Sequence, residues 1–294
     1  MMSFKPRGTE LYYQIFIFFI ALVVSISALF PLMYVLGVSL TSTNELIRNN
    51  YFVIWPTQPT LNAYQRMAAN PAIWRSLGIS VARSAIGPFL TLIIMVLGAY
   101  VLSVRTLPGR KQILMLIIFT MLFTGGLIPR YLVMRQLGLL NSFWVYIWPM
   151  LPDAFGLLVL KIFIENLPDS LLESADIDGA RHTQKLVYLA IPLAKPALAA
   201  VGMFAIVNHW NAWFDALLFV SRSRLHPLQM VLRNVLTSDA FFDAAQNVLS
   251  DAVRTNVVSM RMATVVVGIL PMLMLYPFLQ KYFVHGVFLG SVKE

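Results

Sequence analysis

Glu173-Ser174-Ala175-Asp176-Ile177-Asp178-Gly179-Ala180 is a charged, helix-forming stretch with a glycine break, set between two apolar runs, 143–164 and 196–220, that are long enough to cross a bilayer. A hydrophilic knuckle held between two spans suits a docking surface better than a catalytic site. Its local reading covers residues 168–193. Pro168-Asp169-Ser170 stops one helix, and Ser170 with Glu173 three positions on fits a capping box that starts another. That helix runs to about Gly179, where the missing Cβ permits a positive φ and a sharp turn. Residues 181–190 then form a second short helix that ends near Pro192. Because Leu171, Leu172, Ala175, Leu186, Val187 and Leu189 are apolar, the same pattern also fits an amphipathic hairpin resting on lipid headgroups.

Outward from the knuckle, six apolar stretches approach or meet the roughly 20 residues that a membrane helix needs: 15–38, 77–102, 113–128, 143–164, 196–220 and 262–284. The expectation is an all-α membrane protein with six transmembrane helices, one domain over residues 1–294. An even count puts both termini on one side. Pro31, Pro88, Pro149, Pro152, Pro271 and Pro277 fall within these spans and read as kinks, since neighbouring helices can satisfy the freed backbone groups. The first run has no small-residue cleavage pattern after it and reads as a retained helix. Lys and Arg in the loops divide eleven to ten between the two sides, and because long loops count less, the balance tips towards a cytoplasmic N-terminus.

Composition agrees with the spans and excludes other classes. Of 294 residues 59% are hydrophobic and 12% charged, and the mean hydropathy is +0.73, too apolar for a soluble domain of this size. The net charge of +9 comes from 22 Lys and Arg dispersed among loops, which fits anionic membrane lipids and not nucleic acid. With no cysteine, disulfides and thiol chemistry are excluded. His182, His209, His226 and His285 form no cluster with metal-ligand spacing. No phosphate-binding G-x-x-x-x-G-K-[ST] loop occurs, so no nucleotide site is expected in this chain.

A second polar feature lies in the fifth apolar run. Asn208, Asn211, Ala212 and Asp215 are spaced to share one face of a continuous helix, with Trp210, Trp213 and Phe214 beside them. Polar groups at membrane depth face the bundle interior or a water-filled path, and aromatic faces with amides suit sugars. Interhelical hydrogen bonding and an interfacial aromatic belt explain the same residues. Arg83, inside the second run, must face water, snorkel, or meet an acid such as Asp153 or Asp215, and it could also contact an acidic sugar. Residues 129–137 read as a short surface helix ended by Gly138, and the long loops 39–76 and 221–259 could dock a soluble partner.

E-S-A-D-I-D-G-A at 173–180, followed by I-P-L-A-K-P at 191–196, resembles the EAA loop of permease subunits of ATP-binding-cassette (ABC) importers. More widely the chain is similar to MalG-type permeases of carbohydrate uptake systems, of type I architecture. Gly125-Gly126-Leu127-Ile128-Pro129, Leu137-Gly138-Leu139-Leu140-Asn141, Trp210-Asn211-Ala212-Trp213-Phe214 and the tail block at 276–283 look like a subgroup that imports complex oligosaccharides, including alginate-type uronates. Ser174 departs from the family's alanine but keeps a small side chain. The resemblance implies that Glu173, Ser174, Ala175, Asp178, Gly179 and Ala180 contact an ATPase subunit at the cytoplasmic face of a bacterial inner membrane. It implies as partners a second permease, two ATPase subunits holding ATP and Mg, an extracytoplasmic solute-binding protein and an oligosaccharide. The substrate path would then include Asn208, Trp210, Asn211, Trp213, Asp215 and Arg83. This chain itself would perform no covalent chemistry and need no cofactor. Two rival readings are an ion-coupled secondary transporter, for which Asp153 and Asp215 are few carboxylates, and a membrane scaffold, which would leave the polar stripe unexplained.

Overall fold

The structure, a computed structural model, describes residues 8–237, 258–275 and 277. The tail block apart from Pro277, the end of the sixth expected span, residues 238–257 and His285 lie outside the described residues. All regular structure among the described residues is helical. Among the described residues three helices are long and apolar enough to cross a membrane unbroken, Leu11–Ser39, Pro71–Ser103 and Val258–Leu275, and three bent pairs raise the count to as many as six spans. The described residues fall into two compact units, one within Met1–Asn70 and Val235–Ile269, the other within Pro71–Asn234 and Leu270–Glu294.

The first unit holds α1 (Gly8–Ser39), α2 (Thr43–Arg48) and α3 (Asn62–Ala68). Pro31 lies inside α1 without ending it, as expected for a helix in lipid. After α1 the chain folds back: Thr60 N–H donates to the Leu40 carbonyl at 2.7 Å, and Val38, Leu46 and Val53 bury one another. Gly37 permits this, because a Cβ there would come within 2.2 Å of the Ile54 carbonyl oxygen. Glu45 hooks the returning loop by accepting from the Thr57 N–H at 2.6 Å and from the Thr57 hydroxyl. Those bonds hold its carboxyl below the ordinary value of 4.5.

The second unit is built on α4 (Pro71–Ser103), α7 (Ala154–Glu165) and α11 (Lys195–Asn211). In lipid the hydrophobic effect does not draw helices together, so close dispersion contact must. The sequence supplies it with small residues: a Cβ on Gly156 would come within 2.6 Å of Met95 Sδ, and one on Gly98 within 2.9 Å of Leu157 Cδ1. Met95, Ala99, Leu160 and Val201 fill the resulting core. At the end of α7, Glu165 accepts from Arg110 at 2.5 Å and from Lys161.

Three of the six expected spans are interrupted, each at residues with a physical reason to break. The run 113–128 is not one helix: α5 (Arg110–Leu122) stops, Gly126 takes φ +84°, and α6 (Leu127–Gln136) leaves at 113°. At about 1.5 Å per residue, α5 is about 20 Å long, short of the hydrocarbon core. The run 143–164 begins as 3-10 turns, Phe143–Tyr146 and Trp148–Met150, and bends by 47° into α7. Pro149 and Pro152 remove donors there, and Asp153 caps the new helix through the Gly156 N–H at 3.1 Å. The run 196–220 ends its helix at Asn211, turns extended at Ala212 (φ −71°, ψ 123°) and resumes as α12 (Phe214–Phe219). A 3-10 turn, Ser223–Leu225, and α13 (Leu228–Thr237) follow.

Candidate functional site: a helix break with a buried ion pair, and a knuckle

The break at Ala212 corrects the expectation of one polar face along the fifth run. Asn208 and Asn211 lie on α11, while Asp215 belongs to α12 beyond the break. The unwound residue leaves its carbonyl available, and Arg83 takes it: Nη1 donates to Ala212 O at 3.1 Å. The same guanidinium grips Asp215, Nη2 to Oδ2 at 2.5 Å and Nη1 to Oδ1 at 3.3 Å. Asp215 Oδ1 also accepts the Ala216 N–H at 2.8 Å, so this carboxylate satisfies a backbone donor in the first turn of α12 as well. Of the two acids anticipated for Arg83, Asp215 is therefore the partner, and Asp153 is used as a cap.

Arg83 is fully buried, so its charge requires this compensation. Its Cζ also lies 4.6 Å from the ring centre of Tyr146, and Nη2 is 3.8 Å from Met150 Sδ. Both neighbours come from the 3-10 turns of the fourth run. Tyr146 in turn donates its hydroxyl to the Leu225 carbonyl at 2.8 Å, and Ser80 accepts the Leu228 N–H at 2.8 Å, tying the segment after α12 to α4. One turn along α4, the ring of buried His209 rests on Gly87, where a Cβ would come within 2.4 Å of it.

Beside the pair lies a cavity of about 280 Å³ whose lining includes Arg130, Met150, Asn211, Trp213, Asp215 and Phe219. Three of the anticipated path residues, Asn211, Trp213 and Asp215, thus meet here, and Arg83 joins them through Asp215. Asn208 is exposed and does not line the cavity, and Trp210 is buried away from it. Arg130, Tyr146 and Met150 were not anticipated, since nothing local in the sequence links them to residues about 80 positions later. Asn141, from the block at 137–141, takes φ +55° and accepts from the Ser221 N–H at 2.8 Å and the Arg222 N–H at 3.1 Å. It thereby pins the turn that follows α12. Gly138, at φ +67°, ends α6 as expected.

In the knuckle, α8 (Asp169–Ile177) begins at Asp169 with Pro168 in the capping position, which corrects the expected capping box at Ser170. Ser170 is already helical, and no side chain caps the end. The helix ends as anticipated: Gly179 at φ +74° donates to Asp176 O, and Ala180 N–H reaches back to Ala175 O at 2.8 Å, a Schellman motif. The return helix runs through α9 (His182–Gln184), a π-helical stretch (Lys185–Ala190) and α10 (Ile191–Leu193), then bends by 78° into α11. Lys185 bonds to Asp176 across the hairpin. Ala175 is buried, while Glu173, Ser174, Asp178 and Gly179 are exposed and Ala180 is half-buried. Ile177 is 87% exposed at the tip, an apolar side chain that sequence reasoning did not single out. Leu186 and Ala190 pack into the α4 core, and Tyr100 Oη lies 3.2 Å from His182 Nδ1, so the knuckle is seated directly on α4.

No family model matches the chain. Among curated proteins it is 35% identical over 281 residues to the polygalacturonan/rhamnogalacturonan transport system permease protein YtcP of Bacillus subtilis, covering 96% of this chain and 98% of the relative. It is 39% identical to protein LplC of the same organism, over 90% of this chain and 88% of the relative. Among solved structures it superposes with a TM-score of 0.83 and 29% identity, over 95% of this chain and 99% of the other, on a chain from a bacterial ABC transporter involved in the import of the acidic polysaccharide alginate.

Proposed function

Because the chain belongs to the permease subunits of carbohydrate ABC transport systems, we propose that it forms one half of an alternating-access path for an acidic, uronate-containing oligosaccharide. A second, related permease forms the other half. Two ATPase subunits, holding ATP and Mg, supply the energy, and an extracytoplasmic solute-binding protein delivers the sugar. The observation that carries the reading is the cavity at the α11–α12 break, where an amide, Asn211, and an aromatic face, Trp213, meet beside a neutralised ion pair. A sugar ring offers hydroxyls to the first and C–H surface to the second. The relatives above are named for polygalacturonan and alginate, and both names motivate the acidic substrate.

In this reading the knuckle faces the cytoplasm, both termini lie on that side, and the membrane is the bacterial inner membrane. Glu173, Ser174, Ala175, Asp178, Gly179 and Ala180 form the coupling surface, with Ile177 as its apolar anchor. ATPase closure pushes on α8, and the packing of Leu186 and Ala190 against α4 passes the movement inward. Family membership decides against the ion-coupled transporter and the scaffold. The test is ATP hydrolysis by the reconstituted complex. Binding protein loaded with an oligogalacturonate should stimulate it more than binding protein loaded with a maltodextrin, and greater stimulation by the neutral sugar overturns the substrate assignment.

A further inference from the structure

We infer that Arg130 is the residue that reads the substrate's carboxylate, an inference that rests on the acidic-oligosaccharide reading above. The cavity lining contains one carboxylate, Asp215, and both its oxygens are committed: Oδ1 to Arg83 and the Ala216 N–H, Oδ2 to Arg83. Arg83 is correspondingly neutralised and fully buried, so it holds the wall of the cavity and is closed to a ligand. Arg130 differs in every respect. It stands on the first turns of α6, exposed, with its Cζ 6.0 Å from the Phe219 ring centre. Among the described residues it forms no ion pair and its side chain makes no hydrogen bond. The planar fork of donors therefore remains available for bidentate capture of a carboxylate.

The surroundings fit the same ligand. Arg233 Cζ lies 4.7 Å from the Trp213 ring centre, and Trp213, which lines the cavity, offers aromatic surface for the C–H side of a sugar ring. Asn211 supplies an amide for hydroxyls on the same wall. With Asp215 balanced by Arg83, Arg130 is the remaining charged side chain of the cavity lining. The ligand class is a hexuronate unit, carboxylate towards Arg130 and ring against Trp213. A neutral hexose would offer the Arg130 donors hydroxyl oxygens but no opposite charge.

The experiment compares wild-type complex with Arg130→Gln and Arg130→Lys, giving each a trigalacturonate and its fully methyl-esterified form. Equilibrium binding is read on the complete complex in nanodiscs without binding protein, and uptake in proteoliposomes with it. Arg130→Gln should weaken acid-form binding about tenfold or more and leave ester binding unchanged, because the removed group pairs only with the charge. Arg130→Lys should fall between, since an ammonium keeps the charge but loses the fork. Equal loss for acid and ester, or no loss for either, overturns the role of Arg130 while leaving wild-type uptake of the acid intact. Failure of the wild-type complex to take up the acid form at all overturns the acidic-substrate reading itself.

Discussion

The hydrogen bonds that shape the knuckle's turn join residues at most nine positions apart, from Ala180 to Ala175 and from Lys185 to Asp176. Around the cavity the decisive contacts join Arg83 to Ala212 and Asp215, across 129 and 132 positions. The two regions also differ in what they expose. The knuckle leaves Glu173, Ile177 and Asp178 exposed, while Arg83 is wholly enclosed. A locally determined hairpin can be altered on its surface without cost to the rest of the chain. A site closed by one distant ion pair cannot.

The sharpest way to break the contrast is at Asp215. Asp215→Ala leaves the Arg83 guanidinium buried and unpaired, with an expected loss of about 3–5 kcal/mol, seen as a lowered unfolding midpoint or absence of folded protein from the membrane fraction. Replacing both partners, Arg83→Met with Asp215→Leu, should recover most of that loss; a double variant no better than the single one would show that the pair is not the reason. Next in size is Ile177→Ser at the knuckle tip. An isoleucine that becomes buried contributes about 1.5–3 kcal/mol, so ATPase affinity in a titration should drop about tenfold or more with the permease's own unfolding midpoint unmoved. Gly179→Ala follows. A Cβ there meets nothing within 4 Å, so the penalty is backbone strain alone at φ +74°, about 1–2 kcal/mol, detectable as faster proteolysis within 168–193. Lys185→Met should change stability by about 1 kcal/mol or less, because Asp176 is 65% exposed; a larger drop in the unfolding midpoint would mean that the hairpin depends on this pair.

The smallest effect is one of pH, at the exposed loop after α1. Bonds from Thr57 lower the Glu45 carboxyl, so the stability it contributes is complete above the ordinary value of 4.5 and is lost as pH falls through the lowered one. The Glu45 carboxyl carbon shift, followed by solid-state NMR, should titrate below 4.5, and Thr57→Val should move the midpoint up.

The difference in contact range also explains what could be read in the sequence. The knuckle was legible because its signals are local: Gly179 ends a helix, Pro168 precedes one, and the charges mark it as outside lipid. Its N-terminal cap was placed two residues late, at Ser170, because Pro168 and Asp169 can open a helix without any side-chain cap. The spans were legible as apolar runs and the bend at Pro149 and Pro152 as a proline kink, but the breaks at Gly126 and Ala212 were hidden, since hydropathy continues across them. Asn211, Trp213, Asp215 and Arg83 could be named as polar or aromatic residues at membrane depth. That they meet at a break, with Arg130 and Tyr146, depends on tertiary closure that no window of sequence contains.

The glycine-notched contacts along α4 have a mechanical consequence. Dispersion contacts such as Gly98 against Leu157 re-form after a small shift, whereas the Arg83 fork on Asp215 and Ala212 is directional and holds its geometry. On the coupling proposed above, such a rod would turn about its pin, with the ion pair as fulcrum and Tyr100, beside His182 of the knuckle, at the end of the lever arm. From Arg83 to Tyr100 the arm is about 25 Å at 1.5 Å per residue, so a displacement of about 4 Å at the knuckle end reaches the cavity as a tilt of about 10°.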